Sequence, residues 1–353
     1  MVRLTRAQQQ ERTRAAVLAA ARTEFAKRGY AEAKVDGIAE RAELTRGAVY
    51  SNFPSKRALY LAVLLDAVDR PAGQPAPEPV TRLADAVGGF ARVWLDRLPM
   101  PGDTPGAGNL ALRSLTGVFD DEPGRTALAH LARLEAVLLG LALESCGPRR
   151  RRVRLAELVL TLLYGAGRLA EAAPGFGDPF DVVRACQHLA GLDLADAWEP
   201  PHLPFVDPAR SVDEPWAPLE DPPDLRTGRP VGLEADGVVT VLGTGRLGAA
   251  EETVRAARAG DAVTVVVVTG DPAELGRLVR LRVADLCCCL GRVFGPDARP
   301  GPRLVLDDRG AVAHAAGVAT TDDTEAAVRV RAGRIVARAD GRGAGHAAAG
   351  AGR

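Results

Sequence analysis

Lysine is almost absent from this sequence: Lys27, Lys34 and Lys56 are the whole complement, all near the N-terminus, and arginine supplies the cations elsewhere. Net charge is absent too, with 45 Lys and Arg against 45 Asp and Glu, so no uniform field draws the chain to nucleic acid or to a membrane surface. The five cysteines have no paired spacing, which argues against a disulfide framework and suits a reducing compartment. No run of about eighteen apolar residues occurs, and the opening MVRLTRAQQQERTR has no apolar core, so neither a membrane span nor a secretory leader is expected. The expectation is a soluble cytoplasmic protein with no membrane partner, long enough for two or three domains.

Charge imbalance is local. Residues 1–57 carry twelve Lys or Arg against six Asp or Glu. Within that segment, Val35 to Lys56 reads as a helix-turn-helix followed by the start of another helix. Ile38, Ala39 and Ala42 place apolar groups on one face of a first short helix, and Val49 and Phe53 do the same at i, i+4 on a second, with Leu44 filling the angle. Thr45 stands where an N-cap should stand, satisfying an orphan backbone N–H at the positive end of the second helix, which can meet a phosphate. Once Val49 and Phe53 turn inward, Arg46, Gly47, Tyr50 and Ser51 fall on the exposed face and offer a cation, a close-approach backbone and two hydroxyls. Pro54 ends this recognition helix, and Ser55 caps a helix beginning at Lys56.

Ile38-Ala39, Ala42, Thr45, Gly47, Tyr50, Phe53, Ser55-Lys56 and Leu59 together resemble the signature of the TetR family of bacterial repressors. The resemblance implies a homodimer that binds near-palindromic, double-stranded operator DNA and leaves it when a small-molecule effector enters a helical domain. It also implies that Tyr50 and Lys56 hold phosphates. The expected DNA-binding set is Thr45, Arg46, Gly47, Tyr50, Ser51 and Lys56, with Arg46 as the reader of a base edge because it is the only long donor at the helix start. Two positions depart from the pattern. Glu43 stands where a turn glycine is usual, and Lys34 replaces the usual Ser or Thr cap, a loss worth about 1 kcal/mol that Asp36 in the first turn partly offsets.

Upstream, Thr5 and Gln8 have capping-box spacing, and Val17, Ala21 and Phe25, with Leu18 on the same flank, predict a helix ending at Gly29. A further helix runs from Lys56 through Leu59, Val63 and Ala67 to Pro71, closing a DNA-binding head at 1–70. After a loop at 71–79, residues 78–198 read as an all-α ligand-binding and dimerisation domain. Its runs are Val80–Leu98, Leu110–Val118, Arg125–Leu143, Val153–Ala173 and Pro179–Trp198, separated by clusters such as Pro99–Gly108 and Pro174–Gly177. In a TetR-like protein the last two helices pair across a twofold axis, and the segment Arg154–Tyr164 is apolar enough for that. The Arg149–Arg152 run reads as a solvated loop. Phe90, Trp94, Phe119, His130, Cys146, Tyr164, Phe180, Cys186 and His188 are candidates for an effector pocket, with ordinary core packing the preferred reading of each.

Residues 199–230 are so proline-dense that they read as an extended linker to a separately folding α/β domain at 231–342, followed by a flexible tail at 343–353. Val238–Leu242 and Val263–Val268 are buried-strand runs, each followed by a helical stretch (Ala249–Ala259, Pro272–Leu286). Arg303–Leu306, Ala327–Val330 and Arg334–Arg338 follow, the last two joined as a hairpin by Arg331-Ala332-Gly333. Gly243-Thr-Gly-Arg-Leu-Gly248 fits GxGxxG between strand and helix, but the acid expected on the ribose about twenty residues on is a valine strand around Val266. The strand order and the ending Val330–Arg338 instead resemble a thioredoxin-like module of the kind found on some flavin hydroxylases. This one has no CxxC and carries Glu325 where such folds place a cis-proline. Cys287 to Cys289 are adjacent and diverge, so they do not make a metal site.

The fold class expected is multidomain: an all-α helix-turn-helix and helical bundle, then a small α/β domain, thioredoxin-like in preference to Rossmann. The function expected is sequence-specific transcriptional regulation by a ligand-released repressor, with no catalytic residue, cofactor or metal. The rival is an oxidoreductase-like protein using a nucleotide at Gly243–Gly248 and targeted by the head.

Overall fold

The computed structural model describes residues 5–68, 80–97, 115–148, 150–173, 175–198, 200–218, 221–295 and 301–352. The expected loop at 71–79, the separator Pro99–Gly108 and residues 110–114 of one expected helix lie outside them. The head consists of α1 (Arg6–Glu32), α2 (Val35–Arg41), α3 (Arg46–Asn52) and α4 (Lys56–Val68). Thr5 and Gln8 form the capping box, and α1 breaks at Gly29, whose φ of 68° takes the backbone out of the helix. Val17, Ala21, Phe25, Ile38, Ala39, Val49, Phe53 and Leu59 are all buried, so the apolar stripes meet in one core.

The bundle consists of α5 (Leu83–Leu95), α6 (Glu122–Leu143), α7 (Val153–Ala172) and α8 (Pro179–Leu189). Asp121 caps α6 by accepting from the Gly124 N–H at 2.8 Å, with Pro123 in the first turn where its missing N–H costs nothing. By length and composition α6 could cross a membrane, but 67% of its apolar window is buried inside the protein, as in a core helix. The last expected helix is shorter than Pro179–Trp198: α8 ends at Leu189 and the chain continues irregularly. Leu115–Val118 lies in a turn rather than a helix.

The C-terminal part is built on a six-stranded sheet. Its strands are β1 (Arg210–Pro215), β2 (Gly237–Gly243), β3 (Ala262–Val268), β4 (Arg303–Leu306), β5 (Glu325–Arg331) and β6 (Arg334–Asp340), in the order β1-β6-β5-β2-β3-β4. β2, β3 and β4 are mutually parallel, β5 is antiparallel to β2, and β6 returns along β5. Ala332 (φ 48°) and Gly333 (φ 70°) form the tight hairpin turn, whose positive φ values match the twist of the strands. Helices α9 (Ala250–Ala256), α10 (Arg277–Phe294), α11 (Ala311–Ala315) and α12 (Ala344–Gly350) accompany the sheet.

Four expectations are corrected here. The 199–230 segment is more than a linker: β1 pairs with the edge of β6, Trp216 is buried and donates to the Leu233 carbonyl at 2.8 Å, and Asp224 and Arg226 are buried. The segment also bridges itself at Pro223 and Pro230, and an edge strand needs only one partner, with Pro215 at its end. The supposed tail holds α12, whose small side chains Ala344, Ala348 and Ala349 are buried in a cluster with Val238 and Ala327. The arginine run is not simply solvated, because Arg151 is largely buried and forks onto Glu251 of α9 through two 2.7 Å bonds. Nor does the α/β part stand apart. α10 packs on α4, α5 and α6, and one apolar core runs from Leu59 and Leu134 to Leu278 and Leu286.

Candidate nucleic-acid interface and ligand cavity

The turn before α3 places the expected DNA-contacting residues. Thr45 caps α3, its hydroxyl accepting from the Ala48 N–H at 3.2 Å. Thr45, Arg46, Gly47 and Ser51 are exposed and Tyr50 is half-buried. An ideal β-carbon at Gly47 would meet nothing nearer than the Thr45 hydroxyl at 3.9 Å, so a nucleic-acid backbone can come close there. Arg46 lies 5.5 Å from the centroid of the Tyr50 ring and 3.5 Å from Asp36. Ser51 donates to the Ala48 carbonyl at 2.9 Å. Lys56 opens α4 and is turned toward the end of α1, where its ammonium donates to the Ala31 carbonyl at 3.0 Å and lies 4.7 Å from the Tyr30 ring centroid. Burial lowers its pKa below the usual lysine value, with Glu32 pulling the other way. α2 has no side-chain cap at Lys34, and Glu43 takes a left-handed φ of 55° at the turn.

The next residue, which the sequence did not single out, joins three parts of the molecule. Arg57 of α4 pairs with Asp121, the cap of α6, and with Glu274, in the turn that leads into α10. Its guanidinium lies 4.9 Å from the Phe119 ring centroid and donates to the Val118 carbonyl at 3.3 Å. Glu274 also accepts from the Ser55 hydroxyl, and Ser55 caps α4 by accepting from the Ala58 N–H at 2.9 Å. Arg277 of α10 lies 5.7 Å from the Phe53 ring centroid and donates to the Ala58 carbonyl at 3.2 Å. The head is thus gripped on one side by the bundle and on the other by the α/β part.

Phe119 also lines a cavity of about 470 Å³ whose described wall comes from α5, α6, α7, α10, Arg97 and the 115–120 turn. That volume suits a drug-sized molecule. Of the pocket candidates, Trp94, Phe119 and Tyr164 line it. Phe90, Cys146 and Cys186 are buried elsewhere in the core, while Phe180 and His188 are exposed. His130 meets Gly248 in the loop after β2 instead. Trp94 and Tyr164 stand edge to face with centroids 5.1 Å apart. α10 supplies Arg282 and Asp285 to the cavity wall. Behind Arg282, Glu135 accepts two bonds from it at 2.6 and 2.7 Å and one from the Tyr164 hydroxyl at 2.6 Å. Burial raises the Glu135 carboxyl to about 7 against the pull of Arg282. Arg97 pairs with Asp285 and donates to the Cys289 sulfur at 2.6 Å, and burial pushes that thiol up to about 12.

The glycine-rich loop after β2 is filled by the protein itself. A β-carbon at Gly243 would sit 2.2 Å from the Asp322 carbonyl oxygen, and the Gly248 N–H donates to the His130 ring at 3.3 Å. The helix that would receive a pyrophosphate opens with Glu251 and Glu252, both buried. Carboxylates at that position repel a phosphate, so the residues do not fit a dinucleotide.

Residues 17–63 match the family of bacterial regulatory proteins, tetR family. The HTH-type transcriptional regulator TtgR of Pseudomonas putida is 47% identical over 64 residues, 18% of this chain and 30% of that protein. The probable HTH-type transcriptional regulator ArpR, also of Pseudomonas putida, matches to the same extent. The chain therefore spans about 30% of the length of these curated relatives. Among solved structures, NalD, the secondary repressor of the MexAB-OprM multidrug efflux pump in Pseudomonas aeruginosa, covers 52% of this chain and 95% of its own at 19% identity and a TM-score of 0.34. A TetR transcriptional regulator from Rhodococcus sp. RHA1 covers 54% and 99% at 21% identity and a TM-score of 0.32. The fold of α1 to α4, the cap at Thr45 and the match over residues 17–63 make the N-terminal part of this chain similar to the helix-turn-helix domain of the tetR family.

Proposed function

We propose that the protein is a cytoplasmic, homodimeric transcriptional regulator that represses by binding operator DNA through α3 and releases it when a small molecule occupies the cavity beside Trp94 and Tyr164. The carrying observation is the exposed face of Thr45, Arg46, Gly47 and Ser51 on a head that matches the tetR family. Tyr50 and Lys56 are assigned to phosphates and Arg46 to a base edge. Dimerisation is assigned to α7 and α8, where Leu158 (40% exposed) and Phe180 (75%) leave apolar surface uncovered.

Coupling follows the contacts of Arg57. A ligand against Phe119 presses on the turn that holds Arg57, and α4 carries the displacement to the head. Release then requires the ligand to favour the conformation that does not fit DNA. We read the α/β part as a thioredoxin-like, non-enzymatic module. The central β2 between parallel β3 and antiparallel β5 supports this reading over an all-parallel Rossmann sheet.

The test is selection of bound fragments from the source genome by the full-length protein. A shared inverted repeat with half-sites about one DNA turn apart is the expected outcome. Recovery of no common sequence at low salt would refute the reading.

A further inference from the structure

Among the described residues, four arginines and three carboxylates line the cavity. Arg282 faces the cavity, whereas its partner Glu135 is 2% exposed and sits behind it, outside the lining. The guanidinium is fixed by its place 4.7 Å from the Tyr164 ring centroid. Arg282 gives Nε and Nη2 to Glu135, so the guanidinium, held against an aromatic face with its compensating charge to the rear, has Nη1 left to donate to a second carboxylate. The corner made by Trp94 and Tyr164, with Phe119, Leu128 and Leu163 nearby, gives a flat apolar body a place to lie. Arg282 belongs to α10, so the anchor comes from outside the tetR-like head and bundle.

We propose that this cavity binds a small planar aromatic molecule carrying one carboxylate, which docks on Arg282 while Glu135 takes up one proton from solvent. The assignment rests on reading the cavity as a ligand site and adds the class of ligand and the charge balance. Two ionised carboxylates sharing Arg282 would leave the negative charge of the buried Glu135 without its full partner. One proton entering with one anion keeps the charge of the site unchanged. The groups facing Glu135 are Arg282 and Asp285 from α10, Tyr164 from α7, and Arg97 after α5. Burial already holds the Glu135 carboxyl near neutrality, at about 7, so the added proton costs little.

Three probes of one shape and different charge test this on the full chain: 2-naphthoate, 2-naphthylmethanol and 2-naphthylmethylammonium. Calorimetry at about pH 8, in buffers with different ionisation heats, gives affinity and proton count together. Naphthoate should bind at least about ten-fold more tightly than the ammonium, with uptake of more than about half a proton. Glu135→Gln should keep or improve naphthoate binding and abolish the uptake. Arg282→Met should remove the preference for the anion; because it strands Glu135, the Glu135→Gln/Arg282→Met pair provides the same test with the buried charge removed. Failure of all three probes to bind, equal affinity for anion and cation, or uptake that persists in Glu135→Gln would each overturn the assignment. Naphthoate binding with proton uptake but without effect on DNA affinity would support this site chemistry and overturn its role as an effector site.

Discussion

Glu43 holds a backbone conformation that suits glycine better. At φ 55° a β-carbon crowds the following carbonyl, a strain of roughly 1–2 kcal/mol for an L residue. Glu43→Gly should therefore raise stability, by up to about 1 kcal/mol after the entropy cost of glycine in the unfolded chain. A lower urea midpoint would show that the side chain makes a compensating contact. On the DNA face, the roles of Arg46 and Lys56 separate by sequence dependence. Arg46→Ala should cost about 1–3 kcal/mol on the operator and much less on random duplex, because a bidentate base contact is lost. Lys56→Ala should weaken both and lower the salt slope by about one per half-site. Since one Lys56 donor already serves Ala31, the phosphate would be met by the remaining ammonium protons. Binding measured against salt on both duplexes decides each assignment, and equal losses for Arg46→Ala would move it to the phosphate class.

At the scale of elements, legibility followed the range of the contacts. Thr45, Val49 and Phe53 declare α3 because a cap and an i, i+4 pair are local signals, and the valine runs declare β2 and β3 because buried parallel strands are apolar throughout. The Arg57 junction was invisible, since its partners Asp121 and Glu274 lie 64 and 217 residues away and an arginine gives no sign of which carboxylate it will meet. The cavity is half legible: Trp94, Phe119 and Tyr164 are among the candidates, but Arg282 and Asp285 lie on a helix that the sequence assigns to another domain. β1 was missed because proline density speaks against internal pairing and says nothing of a neighbour's open edge. The exposed stripe on α7 and α8 carries its own test. Leu158→Asp combined with Phe180→Asp should shift sedimentation from dimer to monomer and weaken operator binding, because two half-sites must be held together. An unchanged dimer would place the twofold axis elsewhere.

At the scale of the whole molecule, the proline-rich segment invites the thought that the chain can be cut near Pro200 to leave a folded, DNA-binding dimer. The packing argues the reverse. Leu278, Val279, Leu286, Leu290 and Val293 of α10 are buried in the same core as Leu59, Phe90 and Leu134. Arg97, Glu135, Glu144 and Arg151 each lose an ion-pair partner supplied by the C-terminal part. Uncovering one large aliphatic side chain costs about 1.5–3 kcal/mol, and a domain's whole margin is about 5–15 kcal/mol, so opening this face alone removes most of it. Stranding Glu135, which is fully buried against Arg282, adds a penalty of its own. A fragment ending near Pro200 should therefore aggregate or melt without a cooperative transition, and should not bind the operator. Coexpression of residues 201–353 as a separate chain should restore both properties if the interface is what is missing. Circular dichroism melting, size-exclusion chromatography and DNA binding check the outcome. A soluble fragment that melts cooperatively within about 5 °C of the full chain would show that α10 is a docked appendage and that the core of the bundle closes without it.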